Sequence, residues 1–129
     1  MAQRSPKPAP TAPVVTKSAG EDHTRLLQGA MLGLVRHDIR DLSARQLGVF
    51  LTCYLIDGDH TVRGLAAALN VSKPAITRAL DRLEGLDFAR RREDPRDRRS
   101  VLVKHTAEGA AFLRTLKGIM VAVARAQPA

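Results

Sequence analysis

The segment from Thr61 to Leu83 constrains the fold of this chain more than any other. Thr61 is suited to cap a short helix in which Val62, Leu65, Ala66 and Leu69 face one side. Asn70-Val71 make a tight turn, and Ser72 opens a second helix with Pro74 in its first turn, where a missing N–H costs nothing. There Ile76, Ala79, Leu80 and Leu83 face inward, which leaves Lys73, Pro74, Thr77, Arg78, Asp81 and Arg82 on the outer side. Two short helices separated by a turn of three to four residues form the helix-turn-helix pattern.

The flanks extend this unit. From about Thr24 to Arg36, Leu26, Leu27, Ala30, Met31, Leu34 and Val35 recur with helical spacing. Gly29 and Gly33 in that stretch have the spacing that permits close helix approach, although outside a membrane two tolerated glycines are the simpler reading. Ser43 and Gln46 fit a capping box ahead of a helix with Leu47, Phe50, Leu51, Tyr54 and Leu55 as its apolar stripe, Cys53 lying beside the stripe. Asp57-Gly58-Asp59 ends it.

Beyond Leu86, residues 88–92 and 98–105 read as two strands around a loop containing Pro95, with Val101, Val103 and His105 on one face. Thr106 caps a last helix to about Arg125. Its apolar residues Phe112, Leu113, Leu116, Ile119, Met120 and Val123 are spread widely enough to serve a core on one side and a partner subunit on the other. The expected fold is mainly α with a small β-hairpin: a winged helix-turn-helix domain over 23–129, flanked by terminal helices. Residues 1–22, with Pro6, Pro8, Pro10 and Pro13 among small and basic residues, read as a disordered Pro-rich tail, either a solubilising leader or an arm for phosphates.

Composition indicates the partner. The chain has 129 residues, the size of one domain, with 44% hydrophobic and 26% charged residues. Lys plus Arg is 21 against 13 Asp plus Glu, a formal charge of +8, which points to a polyanion. Residues 88–104 hold Arg90, Arg91, Arg92, Arg96, Arg98, Arg99 and Lys104 against Glu93, Asp94 and Asp97. Only Phe50, Tyr54, Phe88 and Phe112 are aromatic, too few to stack single-stranded bases, so duplex DNA is the better fit.

In the helix-turn-helix pattern the second helix enters the major groove with its N-terminal residues nearest the bases, which selects Ser72, Lys73, Pro74, Thr77 and Arg78, with Arg82 on the same outer side. Arg96 at the loop tip suits a narrow minor groove, Arg98 and Arg99 suit phosphates, and Asp97 suits an ion pair that braces the loop.

Several classes find no support. No apolar run is long enough to span a membrane, so no membrane partner is expected, and no signal-peptide core is visible, so a cytoplasmic, nucleoid-associated location is expected. No metal spacing, nucleotide-binding glycine motif or catalytic constellation is visible; no cofactor is expected, no effector-binding residue is assigned, and the chain is not expected to be an enzyme. Cys53 reads as a buried structural thiol, with a redox switch as the lesser alternative.

Taken in order, Leu42-Ser43-Ala44-Arg45-Gln46, Leu65 to Ser72, Ile76 to Glu84, Asp94 to Arg99 and Thr106-Ala107-Glu108-Gly109 resemble the multiple-antibiotic-resistance regulator (MarR) family of winged-helix transcription factors. The resemblance implies a homodimer joined by its N- and C-terminal helices, two recognition helices on a pseudo-palindromic DNA site, repression, and a wing-tip arginine, here Arg96, in the minor groove. Asp87-Phe88 stand where the family usually has Gly-Leu or Gly-Phe, and Asp tolerates the left-handed conformation moderately well. His105 replaces the family's usual leucine.

Overall fold

Local capping chemistry sets most of the architecture. A computed structural model describes residues 17–37 and 40–127. In chain order these form α1 (Lys17–Arg36), α2 (Ala44–Leu55), β1 (His60–Thr61), α3 (Val62–Leu69), α4 (Lys73–Gly85), β2 (Arg90–Asp94), β3 (Asp97–Lys104) and α5 (Ala107–Ala126). The capping box is present: the Gln46 N–H donates to Ser43 Oγ at 3.1 Å and the Ser43 N–H to Gln46 Oε1 at 2.9 Å. Thr61, Ser72 and Thr106 accept from Gly64, Ala75 and Gly109 in the same way, each satisfying an amide the helix leaves unpaired. Asn70 turns the chain between α3 and α4 in the left-handed region, at φ 54°.

The wing has three strands rather than two. β1 joins the antiparallel sheet in the order β1-β3-β2, with His60 opposite Val103 and Thr61 opposite Leu102. A two-residue strand carries no periodicity of its own, and long-range register creates it. Between β2 and β3, Arg91 pairs with Val103 and Glu93 with Val101, and the register shifts between Glu93 and Asp94 just before the turn. His105 lies past the end of β3, and Val101 is exposed although Val103 is buried.

The core lies where α2, α3 and α4 meet the sheet, around Val49, Phe50, Leu65, Ile76, Leu80 and Leu83. In α2 the buried face is Val49, Phe50 and Cys53, rotated from the expected stripe, so that Cys53 is 3% exposed and Leu55 is 53% exposed. The chain's aromatic side chains converge: Phe50 stacks on Tyr54 at 4.3 Å and meets Phe112 edge-on at 4.9 Å, while Phe88 stacks on Phe112 at 4.6 Å.

α1 starts at Lys17, seven residues before the expected Thr24, so 17–22 are helical rather than tail; the rest of that tail, 1–16, lies outside the described residues. No proline follows Pro13 to stop the helix, and α1 packs along α5. A Cβ on Gly29 would run into Val123, and one on Gly33 into Ile119. The glycine pair is therefore a packing device, against the simpler reading of the sequence.

Tyr54 ties this body to the wing. Its hydroxyl donates to the Phe88 carbonyl at 2.7 Å and accepts from the Thr106 N–H at 3.0 Å. Thr106 Oγ1 donates to the carbonyl of Asp87 at 2.6 Å, and Asp87 adopts φ 58°, the left-handed turn expected of it. His105 stacks on the Tyr54 ring at 4.0 Å and donates through Nε2 to the Cys53 carbonyl at 2.7 Å. Gly109 makes room for this junction, because a Cβ there would overlap both the Tyr54 hydroxyl and the Phe88 carbonyl. Gly109→Ala is expected to destabilise the protein by about 2–3 kcal/mol, overpacking outweighing the helix propensity of alanine. Urea denaturation checks this, and a change under about 0.5 kcal/mol would contradict the packing account.

Candidate nucleic-acid interface

Burial of one face of α4 decides what the other face presents. Ala75, Ile76, Ala79, Leu80 and Leu83 are buried, which turns Lys73, Pro74, Arg78 and Arg82 to solvent and leaves Thr77 half-buried. Ser72 is exposed, and its Oγ already accepts from the Ala75 N–H, which leaves its proton and one lone pair for a ligand. Arg82 is partly committed as well: it reaches back to donate to the Asp41 carbonyl at 3.3 Å.

The wing has two functional zones. At its tip the Asp94 carboxylate accepts the Arg96 N–H at 2.9 Å, an Asx-type turn that leaves the Arg96 side chain exposed. Asp97 accepts the Arg99 N–H at 3.0 Å, so this carboxylate braces the loop through the backbone. The expected ion pair of Asp97 with an arginine is absent among the described residues; its carboxylate turns instead to the amide two residues on. Arg98 and Arg99 are exposed, and their guanidinium groups have no acidic partner among the described residues.

At the base of the wing the charges are paired. Arg91 hydrogen-bonds Asp81 and, at 3.0 Å, Glu84, both on α4, and its own N–H donates to Glu84 Oε1. The Arg91 side-chain hydrogen bond holds the Glu84 carboxyl below its ordinary range, and Glu84 in turn raises Arg91. Arg90 pairs with Asp87 at 3.3 Å on the surface. Arg91 thus fixes the angle between wing and helix, a role that sequence reasoning missed by grouping it with the wing's other cations. Asp81 and Glu84 on the outer side of the helix were the available signal.

The arrangement brings α4 and the wing to one cleft of about 450 Å³. Its lining includes Arg63, Lys73, Thr77, Arg99 and Ser100. It unites three of the predicted contact residues, Lys73, Thr77 and Arg99, and adds Arg63 from α3, which the sequence did not single out. Ser72, Pro74, Arg78, Arg82, Arg96 and Arg98 lie outside its lining. The terminal helices form a different surface: Leu27, Met31, Leu32 and Val35 of α1 and Val121 of α5 are exposed. A groove of about 660 Å³ with Leu26, Leu51, Leu55 and Met120 in its walls runs between α1, α2 and α5.

Cys53 has no role on either surface. Burial pushes its thiol up from an ordinary 9.0 to about 11, which keeps it protonated and unreactive at neutral pH. This disfavours the redox switch.

Residues 42–101 match the model of the MarR family. No curated protein matches the sequence. Among solved structures, wild-type MarR from E. coli in its apo form is 27% identical, with a TM-score of 0.61 over 81% of this chain and 74% of that one. The transcriptional regulator Tm0710 from Thermotoga maritima is 20% identical, with a TM-score of 0.68 over 82% of this chain and 71% of that one. A variant of S. aureus MepR bound to an oligodeoxyribonucleotide is 22% identical, with a TM-score of 0.66 over 82% and 75%. At these identities the last two likenesses carry the fold alone.

The Cys53 shift makes a signed prediction. A thiol kept neutral in the fold contributes stability that is intact below its unfolded value and is lost as pH rises from 9.0 towards about 11. Over that window Cys53→Ala is expected to lose less stability than the wild type in urea denaturation. A thiol reagent at pH 8 should label the wild type only after unfolding. Rapid labelling of the native protein would contradict the burial account.

Proposed function

From the match of residues 42–101 to the MarR family model, we propose that the chain is a MarR-family, sequence-specific regulator of transcription that binds double-stranded DNA. In this reading it is a cytoplasmic repressor, acts as a homodimer on a pseudo-palindromic site and carries out no catalysis. α4 enters the major groove with Ser72, Lys73, Pro74, Thr77 and Arg78 nearest the bases, and Arg82 further along the helix. Arg96 reaches the adjacent minor groove, while Arg98 and Arg99 meet phosphates.

The observation that carries this reading is the division of charge between the wing and α4. Arg91 is neutralised at the base of the wing by Asp81 and Glu84, whereas Lys73, Arg78, Arg96, Arg98 and Arg99 are exposed and unpaired among the described residues. Exposed cations left without partners on α4 and the wing, with that helix and wing bonded to each other through Arg91, suit a polyanion with a groove. The exposed apolar residues of α1 and α5 support a dimer through the terminal helices, since Val35 at 73% and Leu27 at 59% exposure would be covered by a second copy. In a two-fold arrangement the half-sites lie about one helical turn, roughly 34 Å, apart.

Selection of bound duplexes from a random pool at about 150 mM salt tests the proposal. The expected product is an inverted repeat with that spacing. Arg96→Ala should weaken binding across sequences, whereas Arg78→Ala should relax preference at one position by roughly 1–3 kcal/mol. Binding without enrichment would replace the reading with an architectural, phosphate-only protein, and no binding would replace it with a winged-helix adaptor for an acidic protein.

A further inference from the structure

Two helices in this fold begin with the wrong charge. Arg63 lies in the first turn of α3 and Lys73 opens α4, and neither first turn contains an acid. The N-terminal end of a helix carries partial positive charge, so a cation there is locally unfavourable and an anion favourable. Both side chains are exposed, and neither has an ion-pair partner among the described residues. Both line the cleft between α3, α4 and β3, and Arg99 approaches it from the strand. Asp97 also lines the cleft, its carboxylate turned to the Arg99 N–H, while Asp81 and Glu84 take Arg91, which lines the cleft as well. Thr77 and Ser100 add hydroxyls with no hydrogen-bond partner among the described residues.

We propose that Arg63, Lys73 and Arg99 form one phosphate clamp, drawn from α3, α4 and the wing, that grips a single diester of the DNA backbone beside the recognition helix. This rests on the DNA-binding reading above and assigns Arg63 a function within it. Three cations from separate elements around donor hydroxyls suit a tetrahedral oxyanion, whose arrival would lower the repulsion among them. The clamp carries no sequence information. It sets the depth and register at which α4 meets the bases.

The test compares wild type, Arg63→Gln and Arg63→Lys on a duplex recovered from the selection, with affinity measured as a function of salt. Arg63 is exposed and makes no side-chain hydrogen bond or ion pair among the described residues, so circular dichroism should report equal folding for all three. Arg63→Gln is expected to weaken binding about tenfold, without changing which sequences are preferred. It should also reduce the log–log salt slope by about one to two per dimer, while Arg63→Lys keeps the slope. Wild-type affinity and slope in Arg63→Gln would overturn the clamp while leaving the DNA-binding reading intact. A wild type that binds no duplex would overturn both. Inorganic phosphate probes the other source of this anion. If millimolar phosphate bound the DNA-free wild type but not Arg63→Gln, and the two bound DNA equally, the site would serve a free anion and the clamp would be overturned.

Discussion

The hydroxyl of Tyr54 sits where four parts of the fold meet. It projects from α2, bonds the carbonyl of Phe88 just past the end of α4 and accepts the Thr106 amide that precedes α5. The wing leaves from the first of these points and returns at the second. Every residue between 88 and 106 is therefore positioned from one oxygen atom, and the surrounding features serve to keep that atom in place. Asp87 takes the left-handed conformation so that the chain can turn under it, and Gly109 lacks the Cβ that would displace it. His105 covers the ring at 4.0 Å. This half-buried hydroxyl is satisfied as both donor and acceptor, and losing it would leave the Phe88 carbonyl and the Thr106 N–H without this partner.

From this junction the geometry of the interface follows. Arg91 leaves the start of β2 and returns to Asp81 and Glu84, so the wing is fixed to α4 by charge-assisted bonds as well as by the backbone. The acids on this side of α4 hold the wing, and the unpaired cations lie on the exposed surface beyond them. Repulsion among Arg96, Arg98 and Arg99 is tolerable because they are exposed and screened by salt, whereas Arg91, only 25% exposed in its side chain, needs its acids.

Much of this could be read in the sequence where the deciding interaction is local. Ser43, Thr61, Ser72 and Thr106 were identifiable as caps because each bonds the amide three residues ahead. The inward face of α4 was legible from its spacing alone. What stayed hidden depends on contacts remote in sequence. β1 exists only because His60 and Thr61 lie beside Val103 and Leu102. Gly29 and Gly33 looked incidental until Val123 and Ile119 were brought against them. The rotation of α2 that stacks Phe50 on its aromatic neighbours was hidden too, although the burial of Cys53 that goes with it was expected. For the candidate site, the outward cations of α4 and the wing could be read from composition and order. The commitments of Arg82 to Asp41 and of Arg91 to α4 could not. Arg63 had a local signal, a cation in a helix's first turn, that acquires meaning only beside Lys73 and Arg99.

In the proposed reading, a two-fold pair of these chains reads DNA with α4 in the major groove and the wing in the neighbouring minor groove. Hydroxyl-radical footprinting of the wild type and Arg96→Ala on a selected duplex tests it most directly, because the probe reports minor-groove access at each nucleotide. The account predicts a symmetric pattern for the wild type, with minor-groove protections flanking both half-sites. In Arg96→Ala those flanking protections should vanish, while protection of guanine N7 from dimethyl sulfate in the major groove persists. A footprint without two-fold symmetry, or flanking protection that survives in Arg96→Ala, would contradict it.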